Sequence, residues 1–329
     1  ASSSKALEHN TWDDVEHDTE ELRRAEELIV AQAVAPEAVA EGCAREAARR
    51  WDEHYACNLR NYHDRKYLHN EFAQLRPPLG AVVILESGCG VGNTLLPLLA
   101  AHPEAQLVGC DLSPIAVHCV NERLSREKLE SRGRAFVWDI AAAPPVPELQ
   151  PAALRADLAL AVFTLSALPP DRLGAAFANL YNALRPGGRL LFRDYGRLDS
   201  KQLKFCRAAN GRIGGGGGLE WYARGDGTTA VFFTLDVVRH LAADVGFEVD
   251  DLRYDRRLVV NRAQQSRMHR VWVVAVLRKP ADAPEIVPTG SNHARAAVVT
   301  RTRTFVLATV AVLAAGSLLR FGIRAARHA

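Results

Sequence analysis

The order of apolar and polar positions divides the chain into three regimes. Residues 12–55 carry dense acids from Asp13 to Glu27 and then alanine-rich stretches of high helix propensity, which predicts a helical arm broken in two at Pro36. From Ala81 the pattern changes to short continuous apolar runs over 81–86, 105–111, 135–139, 157–164 and 189–194, the last after a Pro186-Gly187-Gly188 turn. Helical stretches over 94–101, 114–130 and 171–184 separate them. Strands buried on both faces read as unbroken apolar runs, and their alternation with helices predicts βαβ units around a parallel sheet. Residues 196–230 interrupt this rhythm. Within them Gly214–Gly218 reads as a flexible loop tip, because five glycines add nothing to a packed core. A helix over 235–245 and strands over 247–254 and 271–277 then complete a seven-stranded sheet that closes with an antiparallel hairpin.

The third regime is the C-terminal segment. Residues 279–300 are rich in proline and alanine, and residues 304–319 carry no charge between Arg303 and Arg320. A spanning helix needs about 20 apolar residues. The shorter run here is extended if the flanking arginines snorkel. The division predicted is a helical arm over 1–75, an α/β domain over 76–280, a linker over 281–303 and a C-terminal membrane anchor over 304–321. The competing reading of the last segment is an interfacial or core-docking helix.

Composition narrows the function classes. The 41 basic against 38 acidic side chains leave a net charge of +3, which hides a strong asymmetry. Residues 1–53 hold 14 acids and 6 bases, whereas beyond Glu285 there is no acid and six arginines. A uniformly basic nucleic-acid binder is therefore excluded, and any nucleic-acid contact must come from a local patch. A hydrophobic fraction of 48% excludes chain-wide disorder. The six cysteines contain no CxxC pair, which argues against a zinc ribbon or disulfide scaffold and predicts no metal, reduced thiols and a cytoplasmic setting. The first 30 residues lack the apolar run of a secretory signal.

The chemistry starts at Glu86-Ser-Gly-Cys-Gly-Val-Gly-Asn93, between the first predicted strand and a helix. Glycines at alternate positions let the backbone approach a ligand closely. The spacing is G-x-G-x-G, not the G-x-G-x-x-G that sets a pyrophosphate on a helix N-terminus. A carboxylate at Glu86 repels pyrophosphate and suits an ammonium. That points to S-adenosylmethionine, which carries an ammonium and a sulfonium and no phosphate. Asp111, at the end of the second strand, can accept both ribose hydroxyls. Asp139, at the end of the third, can take the adenine amino group. Capping the following helix is the other reading of Asp111, with Ser113 also a candidate for that role.

Beyond these sites the chain resembles the METTL-type tRNA 3-methylcytidine methyltransferases over about residues 9–279. The motifs are His9–Glu16, Trp51-Asp-Glu-His-Tyr55, Asp64-Arg65 with Tyr67-Leu68 and Glu71-Phe72, the glycine loop, Cys110–Pro114, Leu165–Ala167, Leu191–Gly196, Arg224–Thr228 with Phe232–Thr234, and Asn261-Arg262 leading to Arg270-Val-Trp272. The first and last of these are most similar to the branch acting on threonine and arginine tRNAs. Departures occur at His17, at Ser87 and in the glycine run, and the apolar C-terminal segment is not a family feature.

The resemblance implies a class I S-adenosylmethionine-dependent methyltransferase fold, α/β and Rossmann-like, with a helical N-terminal arm. It implies methyl transfer to N3 of cytidine at anticodon-loop position 32. It assigns Trp51 and Tyr55 to an aromatic cover over the cofactor, and Gly88, Gly90, Asp111, Asp139, Ile140 and Val162 to cofactor contacts. Cytosine N3 lies on the Watson–Crick edge, so the base must be unpaired or extruded and stacked on an aromatic ring. Asp194 is the candidate for stabilising the cationic product, and Tyr195 for orienting the base. Arg65, Arg193, Arg224, Arg262 and Arg270 are candidate RNA contacts, within a basic cluster that also holds Arg256, Arg257 and Arg267. An accessory protein for tRNA selection and membrane association through 304–321 are further expectations. The alternative is a membrane-associated methyltransferase acting on a lipid or quinone, and a third reading is an inactive S-adenosylmethionine-binding scaffold.

Overall fold

A computed structural model describes residues 11–13, 15, 18–57, 64–143, 156–206, 211–216, 218–261 and 266–283. The expected anchor over 304–321, nearly all of the linker, and Arg262 lie outside these residues. Among the described residues no helix is long and apolar enough to cross a membrane.

In chain order the arm holds β1 (Thr11–Asp13), α1 (Thr19–Ala31), α2 (Glu37–Cys57) and one turn, α3 (Leu68–Glu71). The body follows as β2 (Val83–Ser87), α4 (Leu95–Ala101), β3 (Gln106–Asp111), α5 (Pro114–Arg126), β4 (Gly133–Val137), β5 (Ala156–Val162), α6 (Leu173–Ala183) and β6 (Leu184–Tyr195). It ends with α7 (Ser200–Cys206), β7 (Arg212–Gly216), β8 (Leu219–Ala223), β9 (Thr229–Phe232), α8 (Leu235–Val245), β10 (Glu248–Asn261) and β11 (Ser266–Arg278).

The main sheet has the order β1-β10-β11-β6-β5-β2-β3-β4. Strands β6, β5, β2, β3 and β4 run parallel, and β11 is antiparallel to both β6 and β10. The seven expected strands are all present. This is the class I methyltransferase architecture, with its antiparallel hairpin at one edge. The eighth strand, β1, corrects the reading of residue 12 onward as helix. Thr11 and Trp12 are β-formers, and β1 pairs antiparallel with residues 257–259 of β10, covering an edge that would otherwise present unpaired amides. The chain steps from β2 outward to β3 and β4, then returns to build β5 and β6 on the other side. That reversal is a topological switch point, where the carboxyl ends of β2 and β5 open a crevice.

Alternation along the strands builds the two sides of the core. Leu85, Val108, Ala159, Leu190 and Val273 face α6 and α8 in one apolar cluster. Ile84, Leu107, Leu158, Leu191 and Val274 face α4 and α5 in the other. Each side chain that reverses face across one residue is what a doubly covered strand requires. Pro36 separates α1 from α2 as expected. Helix α1 starts at a capping box, where the Asp18 side chain accepts from the Glu21 amide at 2.8 Å.

The first three glycines of the run are not a loop tip, whereas Gly218 sits in the turn into β8 and Gly217 lies outside the described residues. Residues 212–216 form β7, the edge of a small antiparallel sheet in the order β7-β8-β9. A Cβ at Gly215 would lie 2.4 Å from the Leu219 carbonyl oxygen, and Gly215 sits at φ +129°. Glycine is what lets this strand lie flat against β8. Sequence propensity has no signal for a strand whose requirement is the absence of side chains.

Candidate active site

The glycine loop leaves β2 with Gly88 at φ +63° and Gly90 at φ +51°. A Cβ at Gly88 would lie 2.5 Å from the Thr164 side chain, and one at Gly90 would lie 2.9 Å from the Tyr55 hydroxyl. No other residue fits this close passage under α2. Asp111 is buried at the end of β3 and fixes the loop. Its Oδ2 accepts from the Gly90 amide at 2.9 Å and its Oδ1 from the Ser113 amide at 3.0 Å. Burial raises its pKa, opposed by these amides. Ser113 caps α5: its Oγ accepts from the Ala116 amide at 3.2 Å and donates to Asp52 on α2. Asp111 is thus not the helix cap.

Glu86 is 1% exposed, and neither carboxylate oxygen makes a well-formed hydrogen bond, the Thr94 hydroxyl and Leu95 amide being its nearest donors. Burial raises its pKa to about 7, against the pull of Arg65. An orphaned buried carboxyl beside a glycine cradle fits a cofactor that brings an ammonium. Arg65 does not lie on an outer RNA-facing surface. One guanidinium nitrogen donates to the Thr94 hydroxyl at 3.1 Å and to the Val162 carbonyl at 3.4 Å, and the group sits 5.7 Å from the Phe163 ring centre.

From Phe163 the aromatic contacts continue outward. Its ring lies 5.2 Å from Tyr195, and Tyr195 pairs across the strands with Trp272. Three guanidiniums surround Trp272: Arg193 at 4.6 Å, Arg270 at 4.9 Å and Arg257 at 5.8 Å from the ring centre. Arg224 stands 5.8 Å from the Tyr195 ring. One cavity of about 410 Å³ joins the whole series, from Trp51, Tyr55, Gly88 and Gly90 to Tyr195, Arg224, Arg270 and Trp272.

The charged lining is entirely cationic: Arg65, Arg193, Arg224, Arg257 and Arg270. Their counter-charges stand behind them. Arg193 meets Glu71 at 2.9 Å and Asp255 at 2.6 Å, and Arg257 meets the same two carboxylates at 2.6 and 3.0 Å. Arg270 meets Asp199 at 2.8 Å. Such pairing relieves repulsion among clustered guanidiniums while leaving the wall positive.

Several expected site residues lie behind the cavity lining or are buried within it. Asp194 is fully buried and does not line the cavity. Its oxygens accept from the Ser166 and Tyr195 amides at 2.8 and 2.9 Å, and burial raises its pKa to about 6. Arg193 lines the cavity but is 2% exposed and paired with two carboxylates. Asp139 and Ile140 follow the end of β4 and Val162 ends β5, and none of the three is in the cavity lining. Asp139 accepts from the Ala141 amide at 3.0 Å and pairs with Arg172 at 2.8 Å. The backbone carbonyl of Ile140 accepts from Asn179 at 2.7 Å. Trp272, Phe163 and Glu71 were not singled out by sequence reasoning, although Trp272 and Glu71 fall inside its motifs. Their roles depend on cross-strand register and on partners far away in the chain.

A family model described as a methyltransferase domain matches residues 85–190. The chain is 36% identical over 295 residues to tRNA N(3)-methylcytidine methyltransferase Mettl2 of Drosophila melanogaster, spanning 84% of this chain and 85% of that one. It is 37% identical over 290 residues to the tRNA(Thr) (cytosine(32)-N(3))-methyltransferase of Saccharomyces cerevisiae, spanning 84% of this chain and 44% of that one. Against the tRNA N(3)-cytidine methyltransferase METTL2 of Xenopus tropicalis the identity is 32% over 329 residues, spanning 85% and 92%.

The chain belongs to the tRNA N3-methylcytidine methyltransferase family. It is an enzyme of the S-adenosylmethionine-dependent class, and the glycine loop, Glu86 and Asp111 are the elements that fit that cofactor.

Proposed function

We propose that the protein transfers a methyl group to N3 of cytidine 32 in the anticodon loop of tRNA, with threonine and arginine tRNAs as substrates. The observation that carries this reading is the single cavity that runs from the glycine loop to a wall of arginines and aromatic rings. A lipid or quinone would call for an apolar pocket, and five arginines are a poor lining for one.

S-adenosylmethionine supplies an electrophilic methyl group on a sulfonium. The chain's own residues bind and orient. Glu86 and Arg65 offer an anion and a cation to the amino-acid end of the cofactor. Asp111 is the ribose acceptor and Asp139 the adenine acceptor, while Trp51 and Tyr55 close the cover. Asp139 then gives up part of its pairing with Arg172 or shares it.

Cytosine N3 carries a free lone pair near neutral pH, so the reaction needs no strong base. Catalysis rests on holding the base in line with the methyl group and excluding water. Tyr195 is the residue that orients the base. Asp194 acts from beneath as a positioning residue: its two amide contacts fix the Tyr195 backbone and the turn at Ser166. Arg224 and Arg270 meet the phosphates on either side of the extruded nucleotide.

The test is methyl incorporation into a threonine tRNA transcript and its C32U variant. Label should enter the first and not the second. Equal labelling of both would refute the assignment of position 32.

A further inference from the structure

Helix α2 presents two adjacent stripes to two different parts of the site. Trp51 and Tyr55, four residues apart, line the cofactor end of the cavity. Arg50 and His54, also four apart, lie one position earlier and meet the turn between β8 and β9. His54 Nδ1 is 3.3 Å from Asp226 Oδ2, with the His54 side chain only 7% exposed. A Cβ at Gly227 would lie 2.8 Å from Arg50 Nε, so the turn is pressed against the helix.

That turn is itself tightly closed. Asp226 Oδ1 accepts from the Thr228 amide at 3.0 Å and from the Thr228 hydroxyl at 2.6 Å. The Arg224 amide donates to the Thr228 carbonyl at 2.8 Å, and the Gly227 amide to the Arg224 carbonyl at 3.0 Å. Gly227 sits at φ +79°, as this closure requires. One carboxylate therefore both closes the turn that carries Arg224 and joins it to the helix that covers the cofactor. His54 is edge-on to both cover residues, 5.3 Å from the Trp51 ring and 5.4 Å from the Tyr55 ring, which themselves lie 5.9 Å apart. The three rings form one cluster, so the cover and His54 are in direct contact.

We propose that His54 and Asp226 couple the two substrates: a cofactor seated under Trp51 and Tyr55 fixes α2, and through His54 and Asp226 it fixes the Arg224 turn, so tRNA binds more tightly to the cofactor-loaded enzyme. By linkage, tRNA must tighten cofactor binding by the same factor. His54 and Asp226 are positioning residues, acting through Arg224 and touching neither substrate. The inference rests on the reading of the cavity as a joint cofactor and RNA site.

The experiment measures the affinity of the full chain for a threonine tRNA transcript with and without saturating S-adenosylhomocysteine. S-adenosylhomocysteine should tighten tRNA binding at least fivefold in the wild type, about the lower end of ordinary allosteric coupling. In Asp226→Asn, and separately in His54→Gln, that ratio should fall below twofold, while cofactor affinity without tRNA stays within twofold of wild type. Asn keeps an acceptor for Thr228, so the turn survives, and a ratio is insensitive to a uniform loss of folded protein. Wild-type coupling retained in both variants overturns the proposal, as does a wild type whose tRNA affinity ignores the cofactor. Arg224→Ala separates the underlying reading: tRNA affinity unchanged in that variant would refute Arg224 as an RNA contact, and the coupling route with it.

Discussion

Replacing Glu86 by glutamine isolates the cost of keeping an orphaned carboxyl in the glycine-loop site. The side chain is 1% exposed, makes no well-formed hydrogen bond, and has a pKa raised by burial from 4.5 to about 7 against the pull of Arg65, Thr94 and Leu95. The sign follows from proton binding. Between pH 4.5 and 7 the folded protein holds a proton on Glu86 that the unfolded chain has released, so this group's contribution to stability falls as pH rises. Full at low pH, it is lost by the time pH passes 7. With those two pKa values, linkage gives a loss of about 2–3 kcal/mol between pH 5 and pH 8.

Glutamine keeps the shape and cannot ionise. Urea unfolding of the cofactor-free protein and of Glu86→Gln at both pH values measures the difference. The variant should gain about 2–3 kcal/mol relative to wild type on going from pH 5 to pH 8. Comparing the two pH values cancels whatever the buried amide itself costs. Parallel pH dependences in the two proteins would refute the reasoning. The same substitution should weaken S-adenosylhomocysteine binding about tenfold, close to 1.4 kcal/mol, since the ammonium loses its counter-charge.

Asp111→Ala should abolish measurable S-adenosylhomocysteine binding by calorimetry, because it removes the proposed ribose acceptor and frees the Gly90 amide; wild-type affinity would remove Asp111 from the site. Asp194→Ala should leave cofactor affinity near wild type and lower turnover on tRNA at least tenfold, about 1.4 kcal/mol, and an unchanged rate would deny it the positioning of Tyr195. Glu71→Gln strands Arg193 with half its counter-charge and should destabilise the fold by about 3 kcal/mol, the low end for breaking a buried pair; chemical denaturation within 0.5 kcal/mol of wild type, about the scatter of a neutral surface change, would contradict that. Trp272→Ala should raise KM for tRNA and leave cofactor affinity intact, and equal KM values in fluorescence-monitored turnover would remove the ring from the RNA wall.

Much of this architecture can be read from the sequence because its signals are local. Apolar runs at 81–86, 105–111 and 157–164 announce doubly covered strands, and each becomes a strand of the parallel sheet. Glu86 and the glycines that follow sit within eight residues, so their chemistry is visible without a fold. The rest depends on distance along the chain. Arg193 looks like a phosphate contact until Glu71 and Asp255, 122 and 62 residues away, are brought against it. That Asp194 is buried, with its oxygens on the Ser166 and Tyr195 amides, is likewise invisible in the sequence. Gly214–Gly216 is a strand only because β8 lies beside it, a tertiary demand that overrides propensity. Trp272 becomes a feature only when cross-strand register sets it beside Tyr195 and among three guanidiniums.

The central claim is that one cavity holds methyl donor and cytidine together. Its most direct test is methyl transfer from labelled S-adenosylmethionine to total tRNA, followed by nucleoside mass spectrometry. Label should appear in 3-methylcytidine and be lost in Asp111→Ala. Label in another nucleoside, or in the lipid fraction with none in tRNA, would contradict it.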